Sequence, residues 1–580
     1  MKGRCVHASP FLLKEMIVLS AARLTSFFSF RVGGRVWITI AALITALVLA
    51  PVLSLVAIAW NDTGNLWPHL IAYVLPEAMA DSLILLCGVG VLVTAIGTGG
   101  AWLVTAYDFP GRRILDWALL LPLAVPTYIA AYAYLDILHP VGSVQSFLRA
   151  VLGYHSPRDF RLPEIRSMGG CILLLGFVLY PYVYLTTRAM FLTQAASLLE
   201  VSRTLGLRRA SVFLRVALPL ARPAIVVGVS LALMEALNDI GASEFLGVQT
   251  LTVSIYTTWM TRSDLPGAAQ IALAMLSLVV ILMAVERWAR RKQRYATAAQ
   301  RSRVMSPQRL KGGKALLALG TGLVPVIIGF VGPASYLISE AVARFRFAGV
   351  SVTILSEIRN TVMISATATG VALALGLIIA YSSRINPGIL SGILGRLSVM
   401  GYAVPGTVMA IGLLGPVTMI DRFVDQSAIQ LFGRSFGLVI LGSGAALVYA
   451  YVARFLAISA GSMEAGFSRI SPSLDQAART LGASASGVFR KIHLPMSKSA
   501  LAAAGLLVFV DCMKELPATL LLRPLNFETL ATHLYGEAAR GTYEEASIAA
   551  LIIVVIGILP VILLANVGRQ KRAIGSAGNV

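Results

Sequence analysis

Charged residues are scarce in this sequence. Only 13% of its 580 residues are Asp, Glu, Lys or Arg, whereas 57% are hydrophobic. A soluble protein of that composition would have too few polar side chains to cover its surface, whereas helices that face lipid need none there. The scarcity of charge therefore excludes an ordinary soluble protein and indicates a membrane protein.

Cysteine and histidine are also rare, and neither occurs at metal-binding spacing. The four cysteines form no CxxC pair and the six histidines form no HExxH motif, so we expect no dedicated zinc site. A nucleotide-binding P-loop is missing as well, because Gly313-Lys314 is preceded by Gln308 where that motif needs glycine and followed by Ala315 where it needs Ser or Thr. We expect no cofactor on this chain and no membrane enzyme, since the sequence has no nucleophile or metal constellation.

Acidic residues are outnumbered by basic ones, which gives a formal net charge of +21. A nucleic-acid footprint would be a basic patch on a folded soluble domain, so no nucleic-acid partner is expected. Membrane proteins instead collect Lys and Arg in their cytoplasmic loops. With the N-terminus placed inside, 35 of the 48 basic residues fall in predicted inner segments, which predicts that both termini are cytoplasmic.

Twelve apolar runs are long enough to cross a bilayer, which takes about 20 helical residues. Numbered as spans 1 to 12, they are 36–60, 82–107, 115–138, 169–192, 223–246, 268–286, 315–340, 361–383, 397–418, 436–460, 499–522 and 546–567. A basic, polar stretch separates spans 6 and 7. The predicted organisation is a tail 1–35, a first domain 36–288, a linker 289–314, a second domain 315–568 and a tail 569–580.

The two halves repeat each other in order. Ala124-Val125-Pro126 recurs as Ala403-Val404-Pro405, and the Arg-Thr-Leu-Gly stretch at 203–206 recurs at 479–482, so the offset between the copies is nearly constant. Each half has an even number of spans and starts on the same side of the membrane. The repetition is therefore predicted to be parallel rather than inverted.

The most informative repeat is a pair of polar segments after spans 4 and 10. They read EVSRTLGLRRASVFLRVALP at 200–219 and QAARTLGASASGVFRKIHLP at 476–495, with RTLG, VF and LP at identical spacing. Neither is apolar enough to span a membrane. Each predicts a short helix, a turn at glycine and a second amphipathic helix.

These two segments resemble the EAA loop of the permease subunits of binding-protein-dependent ABC importers. The resemblance implies an all-α integral membrane protein of about 12 helices, built as two type I importer permease domains. We name residues 197–222 and 473–498 the first and second coupling segments. The residues expected to carry the coupling are Glu200, Arg203, Gly206, Leu218, Pro219, Gln476, Arg479, Gly482, Leu494 and Pro495.

In that family the loop docks on a separate ATPase, and a rigid helix can transmit a displacement that a floppy loop would absorb. Two coupling segments imply two ATPase copies, which would bind ATP and Mg²⁺. The sequence departs from the family pattern where Gln476 replaces the glutamate and where Val201-Ser202 replace the two alanines. The charge of Glu200 is therefore not required in both halves.

Two acidic pairs recur at helical i,i+4 spacing within spans 5 and 11. They are Glu235 with Asp239 and Asp511 with Glu515, at the same offset as the Arg-Thr-Leu-Gly stretch. The spacing predicts that each pair shares one helix face. Because an ionisable group at the bilayer centre costs at least about 2.5 kcal/mol, we expect the pairs to line a translocation path or to be neutralised by ion pairs, for instance with Lys514.

Three longer stretches resemble fused ferric-iron permeases: LPLAVPTYIAAYAYLDIL at 121–138, NDIGASEFLGVQTLTVSIY at 238–256 and KELPATLLLRPLNFETLATHLYGEA at 514–538. The resemblance implies that a periplasmic binding protein delivers Fe(III) to this chain at the bacterial inner membrane. Carboxylate oxygens suit such a hard ion. Related permeases carry thiamine, sulfate or polyamines, so these substrates stay open. A secondary transporter driven by an ion gradient is the alternative of another class, although it has no use for paired docking helices.

Overall fold

Helices make up almost all of the structure, a computed structural model that describes residues 32–61, 66–193, 209–290, 307–349 and 351–577. The described helices of the first half are Val32–Ala59, Leu66–His69, Leu70–Val74 (π), Leu75–Ala106, Arg112–Ala118, Leu121–Ala124 (3₁₀), Thr127–Ile137, Ser143–Leu152, Met168–Thr193, Arg209–Val212, Phe213–Ala217 (π), Leu218–Asn238, Gly241–Phe245, Leu251–Met260 and Leu265–Arg290. Those of the second half are Gly313–Val326, Ile327–Val331 (π), Gly332–Ala348, Val352–Ile385, Ile389–Ser398, Met400–Ala403 (3₁₀), Gly406–Phe432, Ala445–Ser468, Pro472–Thr480, Ala485–Val488, Phe489–His493 (π), Leu494–Met496, Lys498–Met513, Pro517–Leu522, Leu530–Arg540 and Tyr543–Ala577. The strands in these ranges are Tyr107–Asp108 and Gln308–Arg309, a short parallel pair.

The membrane-spanning helices confirm the predicted class. Within the described ranges, ten helices are long and apolar enough to cross a membrane, and two bent pairs bring the number to twelve. The bent pairs are span 3, which turns by 92° between Ala124 and Thr127, and span 11, which turns by 59° between Met496 and Lys498. All twelve follow the predicted order along the chain.

Spans 9 and 10 lie later in the chain than predicted. Their helices are Gly406–Phe432 and Ala445–Ser468, against the predicted 397–418 and 436–460. The apolar run after Phe436 that suggested a span is a loop, because a carboxylate of span 9 binds its backbone: Asp421 accepts hydrogen bonds from Ile440 N at 2.7 Å and Leu441 N at 3.0 Å. Hydropathy alone cannot distinguish such a loop from a helix.

The repeat seen in the sequence extends to local backbone geometry. The 3₁₀ turns Leu121–Ala124 and Met400–Ala403 occupy equivalent positions of the repeat, and so do the π-helical turns Phe213–Ala217 and Phe489–His493. Each 3₁₀ turn comes directly before the repeated Val-Pro, where proline removes a backbone donor and disfavours helix at the residue before it. The two halves therefore share the positions of their breaks as well as their spans.

The described part of the smaller packing unit consists of residues 32–50, 368–402 and 451–508. Here span 1 of the first half packs on helices of the second half. Thr45 Oγ1 donates to Leu394 O at 3.3 Å, and Ser382 Oγ donates to Trp37 O at 3.3 Å. Its two buried apolar clusters contain Ala380, Tyr381, Met463, Phe467, Ile470 and Ala504, and Ile44, Val48, Ile379, Leu456 and Ala460.

The described part of the larger packing unit consists of residues 51–61, 66–193, 209–290, 307–349, 351–367, 403–450 and 509–577. Here span 7 of the second half packs on helices of the first half. Tyr134 Oη donates to Ile328 O at 2.6 Å, and a Cβ at Gly329 would lie 2.3 Å from Phe177 O. Each half thus packs its first helix against helices of the other half.

Candidate functional site

The second coupling segment has the predicted helix–turn–helix form. Its first helix is Pro472–Thr480, and Gly482 then adopts a left-handed φ of 81°. The chain continues through Ala485–Val488, the π-turn and Leu494–Met496 into span 11. A left-handed backbone is readily adopted by glycine alone, which explains the residue type at this turn.

The exposed surface of this segment is partly apolar. Leu481, beside the turn, is 87% exposed, and Leu474 on the first helix is also exposed. Gln476 is exposed and Leu494 half-buried, whereas the side chain of Arg479 lies outside the described residues. Leu474 and Leu481 are thus large apolar side chains that this segment exposes.

A charge network ties the second coupling segment to neighbouring helices. Arg384, at the end of span 8, donates through Nε to Asp475 Oδ2 at 3.0 Å. The same guanidinium donates to the carbonyl oxygens of Phe467 at 2.5 Å and Ile470 at 3.0 Å. His493 Nε2 lies 2.7 Å from Asp475 Oδ1, and since a carboxylate can only accept, the ring nitrogen donates.

The network keeps Asp475 ionised. Partial burial raises the pKa of this carboxyl, but the hydrogen bonds from Arg384 and His493 and the charge interactions with both residues together lower it by more, so its pKa lies below the ordinary range. Asp475 directly precedes Gln476 of the motif, yet neither it nor Arg384 and His493 were predicted from the sequence. The sequence feature that could have indicated this network is a basic residue, Arg384, in the last turn of span 8.

Only the end of the first coupling segment is described. Glu200, Arg203 and Gly206 lie outside the described residues. Leu218 and Pro219 begin the long helix Leu218–Asn238, directly after the π-turn. Proline has no backbone N–H to donate to the preceding turn, and the π-turn lies directly before this helix.

Replacing Gly482 by valine is expected to reduce transport several-fold while the chain still inserts into the membrane. A β-branched residue at a φ of 81° is strained by roughly 1–3 kcal/mol, which would redirect the helix before the turn. Uptake by cells and the amount of chain in isolated membranes are the measurements, with Gly206→Val as the counterpart in the first segment.

Gly461→Val is the matched control, because this glycine lies in span 10 at ordinary φ and a Cβ added there would meet no atom of the described neighbouring residues within 4 Å. The control is expected to transport like the unmodified chain. Normal uptake in both Gly482→Val and Gly206→Val would contradict a role for the turns.

Spans 5 and 11 end earlier than predicted. Their helices stop at Asn238 and Met513, and each is followed by a short separate helix, Gly241–Phe245 or Pro517–Leu522. The prediction that each acidic pair shares one helix face is therefore wrong: Glu235 and Asp511 lie on the spans, whereas Asp239 and Glu515 lie beyond the helix ends.

The two carboxylates beyond the helix ends bind the first turns of the short helices. Asp239 Oδ2 accepts from Ser243 N at 3.0 Å. Glu515 Oε1 accepts from Ala518 N at 3.1 Å, and its Oε2 accepts from Thr519 N at 3.1 Å. A carboxylate at this position satisfies N–H groups that have no partner within the helix. Both carboxylates are buried, so the bonds are shielded from water.

We name residues 124–128, 238–243, 403–407 and 514–519 the central junction, since contacts between the two halves meet there. Asn238 Oδ1 accepts from Gly406 N at 2.6 Å, and Tyr128 Oη donates to Lys514 O at 3.4 Å. A Cβ on Gly241 would lie 2.4 Å from Tyr128 Cβ, so the chains approach closely. The bend of span 3, the ends of the span 5 and span 11 helices and the start of the span 9 helix are thus brought together.

Charge at and beside the junction is mostly negative. Thr127 Oγ1 donates to Asp239, and Lys514 Nζ forms an ion pair with Asp511 Oδ1 at 2.8 Å. The predicted neutralisation by Lys514 is confirmed for Asp511. Four carboxylates, those of Glu235, Asp239, Asp511 and Glu515, accompany this ammonium group. Within the described ranges, no group of three or more His, Cys, Asp or Glu side chains could hold a metal ion.

A second contact that occurs in both halves holds the helices Leu251–Met260 and Leu530–Arg540, which follow the two short helices. Leu251 N donates to Ser82 Oγ at 3.0 Å, and Leu530 N donates to Thr361 Oγ1 at 2.9 Å. Both pairs are 169 residues apart in sequence. The equivalent residues Ser82 and Thr361 therefore have the same role: each hydroxyl accepts a hydrogen bond from the first N–H of a later helix.

An ion pair at the start of span 8 has no equivalent residues in the first half. His533 Nδ1 lies 3.0 Å from Glu357 Oε1. Burial lowers the pKa of His533, but the hydrogen bond to Glu357 and the negative charges of Glu357, Glu537 and Glu528 together raise it by more, so its pKa lies above the ordinary value. The equivalent positions carry Ala78 and Ser254.

The family described as "Binding-protein-dependent transport system inner membrane component" matches this chain twice, over residues 95–295 and 372–572. One match begins in the second span of each half and extends to the end of that half. Each includes one coupling segment and one of the acidic pairs.

Three relatives show how far the similarity extends. The Fe(3+)-transport system permease protein FbpB 2 of Haemophilus influenzae is 25% identical over 491 residues, which cover 84% of this chain and 89% of that protein. The molybdenum transport system permease protein ModB of Escherichia coli is 29% identical over 200 residues, 33% of this chain and 84% of that protein. The sulfate transport system permease protein CysT of Salmonella typhimurium is 28% identical over 188 residues, 32% of this chain and 65% of that protein.

Proposed function

The chain belongs to the family of binding-protein-dependent transport system inner membrane components, and we propose that the substrate it carries is ferric iron. The chain is a multi-pass membrane permease subunit of an ABC importer. The observation that supports iron is the length of the match to an Fe(3+)-transport permease, which extends over both halves. The molybdenum and sulfate permeases match about one third of the chain each.

The charge of the central junction supports a cationic substrate. Four carboxylates accompany one lysine near the ends of the span 5 and span 11 helices, so an ion passing there meets a negative potential. We propose that Glu235, Asp239, Asp511 and Glu515 lie along the translocation path. Such a potential attracts Fe³⁺ and repels the oxyanions sulfate and molybdate. Carboxylate oxygens are also suitable transient ligands for a hard trivalent ion.

In this proposal the coupling segments transmit the energy of ATP hydrolysis to the membrane helices. A separate ATPase docks on each segment, so two copies serve one chain, and the exposed Leu481 and Leu474 form part of the docking surface of the second segment. The residues expected to carry the coupling are those of the repeated motif, with Gly482 aiming the helix. Docking of a short helix in a groove is an established mode of recognition.

The orientation in the proposal follows the distribution of basic residues. Both termini, the linker and the coupling segments face the cytoplasm, and the periplasmic binding protein delivers iron to the opposite face of the inner membrane. The chain itself binds no cofactor, and the ATP and Mg²⁺ are held by the ATPase. A carrier driven by an ion gradient would not need the paired coupling segments.

Uptake of radioactive ferric iron is the experiment that tests the substrate. Cells that lack this chain and any other ferric-iron importer are expected to lose iron uptake, and restoring the chain is expected to repair it. A chain with Glu464→Gln, an exposed carboxylate on span 10, is the control that should restore uptake equally well.

Competitors distinguish the alternative substrates. Excess sulfate, molybdate, thiamine or spermidine is expected to leave the restored iron uptake unchanged. Iron uptake that persists without the chain would contradict the iron proposal, and loss of uptake of one competitor in the same cells would make that compound the substrate instead.

A further inference from the structure

The network around Asp475 joins the second coupling segment to three separate parts of the membrane helices. Arg384 ends span 8, the carbonyls of Phe467 and Ile470 mark the end of span 10, and His493 belongs to the π-turn before span 11. Every polar atom of the Asp475 carboxylate and of the Arg384 Nε, Nη1 and Nη2 groups is used. The first helix of the segment is therefore fixed to all three spans at once.

Burial makes this connection stiff. The Arg384 side chain is 15% exposed and that of His493 is 3% exposed, so the ion pair of Arg384 with Asp475 and the hydrogen bond from His493 are largely withdrawn from solvent. Removing one partner from a buried pair leaves an uncompensated charge, which is far more costly than losing an exposed pair. Hydrogen bonds between ionised groups are also about twice as strong as neutral ones. The segment and the helix ends should therefore move as one body.

The equivalent positions of the first half cannot form this network. The repeat offsets place Thr105 where the second half has Arg384, Leu199 where it has Asp475, and Ala217 where it has His493. None of these three residues carries a charge. The two coupling segments therefore share the motif but differ in the residues behind it.

We propose that Asp475 is a positioning residue that transmits motion of the second coupling segment to spans 8, 10 and 11, and that the two coupling segments contribute unequally to transport. This inference rests on the proposed function, because it requires an ATPase that moves the segments. Asp475 does not touch the transported ion in this proposal. It acts by holding the docking helix to the spans.

The test uses the full complex of this chain with its ATPase and binding protein, reconstituted in lipid vesicles. The quantity measured is the number of ferric ions imported for each ATP hydrolysed. Asp475→Asn is expected to lower this ratio by about fivefold or more, because ATP is still hydrolysed while less motion reaches the spans. A spin label at exposed position 473 is expected to become more mobile in the same variant.

Conservative variants separate positioning from folding. His493→Gln keeps an N–H donor and is expected to keep most of the ratio, whereas His493→Leu and Arg384→Lys are expected to lower it. Asp421→Asn is the matched control, because Asp421 is a buried carboxylate that holds only a loop backbone. It is expected to lower the thermal midpoint without changing the ratio.

The outcomes are distinguishable. A normal ratio in Asp475→Asn, or in both Arg384→Lys and His493→Leu if Asp475→Asn does not assemble, would overturn the positioning role. An equal fall of the ratio in Leu199→Ala would overturn the inequality of the segments. ATP-independent uptake by the unmodified complex would instead overturn the proposed function.

Discussion

Replacing Gly97 by valine is expected to remove most of the folded chain from the membrane. A Cβ at this position of span 2 would lie 2.7 Å from Val183 Cβ, 2.8 Å from Tyr184 N and 2.9 Å from Tyr180 O of span 4. Two of these atoms belong to the backbone, which cannot rotate aside as a side chain can. Overpacking costs typically about 1–3 kcal/mol, and a clash with a helix backbone falls at the upper end of that range or beyond it. Small residues at helix crossings are the usual means of close approach in membranes.

The second half offers the same experiment at the equivalent glycine. A Cβ at Gly376 of span 8 would lie 2.5 Å from Ser459 Oγ and 2.8 Å from Ala460 N of span 10. Gly376→Val is therefore expected to cause a similar loss. The measurement is the yield of monodisperse chain after extraction in mild detergent, together with its thermal midpoint.

Each variant has a control on the same helix. Among the described residues, no neighbouring atom would lie within 4 Å of a Cβ at Gly99 or at Gly370, so Gly99→Val and Gly370→Val are expected to give normal yields. The controls share the loss of glycine from the helix, and they differ only in what the new side chain meets. Equal yields from Gly97→Val and Gly99→Val would show that the helices do not cross as closely as the structure describes.

The features that the sequence predicted are local or periodic ones. The number and order of the spans follow from the length of the apolar runs, and the repeat follows from matched residues at nearly constant offsets. The family is confirmed by a match over both halves. The turn at Gly482 was predictable because glycine is the residue that a left-handed backbone favours.

The features that the sequence did not predict depend on tertiary contacts. Spans 1 and 7 each pack on helices of the other half. The sequence of an apolar run does not indicate which helix the run packs on, so this arrangement could not be predicted. The early ends of spans 5 and 11 depend on Asp239 and Glu515, whose carboxylates bind the next helix instead of continuing the span. A spacing of four residues indicates one helix face only while the helix continues.

The charge network was missed for a similar reason. Arg384 and Asp475 are 91 residues apart, and nothing in either local pattern joins them. Asp475 was adjacent to the motif, but an aspartate on a polar loop is ordinarily a solvated residue. Only the contact with Arg384 at the end of span 8 shows that the Asp475 carboxylate binds another helix instead of facing solvent.

Glu515→Gln is expected to lower transport by roughly tenfold and to lower the thermal midpoint of the chain. The Glu515 residue is 4% exposed, and its carboxylate accepts hydrogen bonds from Ala518 N and Thr519 N, while the Thr519 hydroxyl lies within hydrogen-bond distance of both its Oε2 and its carbonyl oxygen. Glutamine has the same size, but its amide nitrogen can only donate. At least one buried N–H would therefore lose its acceptor, which costs about 1–3 kcal/mol and loosens the short helix Pro517–Leu522.

The repeat provides a second test of the same idea. Asp239→Asn changes the equivalent carboxylate, which accepts from Ser243 N and from Thr127 Oγ1. It is expected to act in the same direction as Glu515→Gln. The exposed Glu464→Gln serves again as control, because it removes a carboxylate from span 10 without leaving a buried donor unpaired.

The two measurements together distinguish the two roles of these carboxylates. A lower thermal midpoint with a proportionate loss of transport would show that they act by holding the short helices at the central junction. A loss of iron transport at an unchanged midpoint would show that their charge acts on the passing cation. Unchanged transport and midpoint in both variants would contradict both roles, because a buried carboxylate that accepts two or more hydrogen bonds is not expected to be replaceable by an amide without cost.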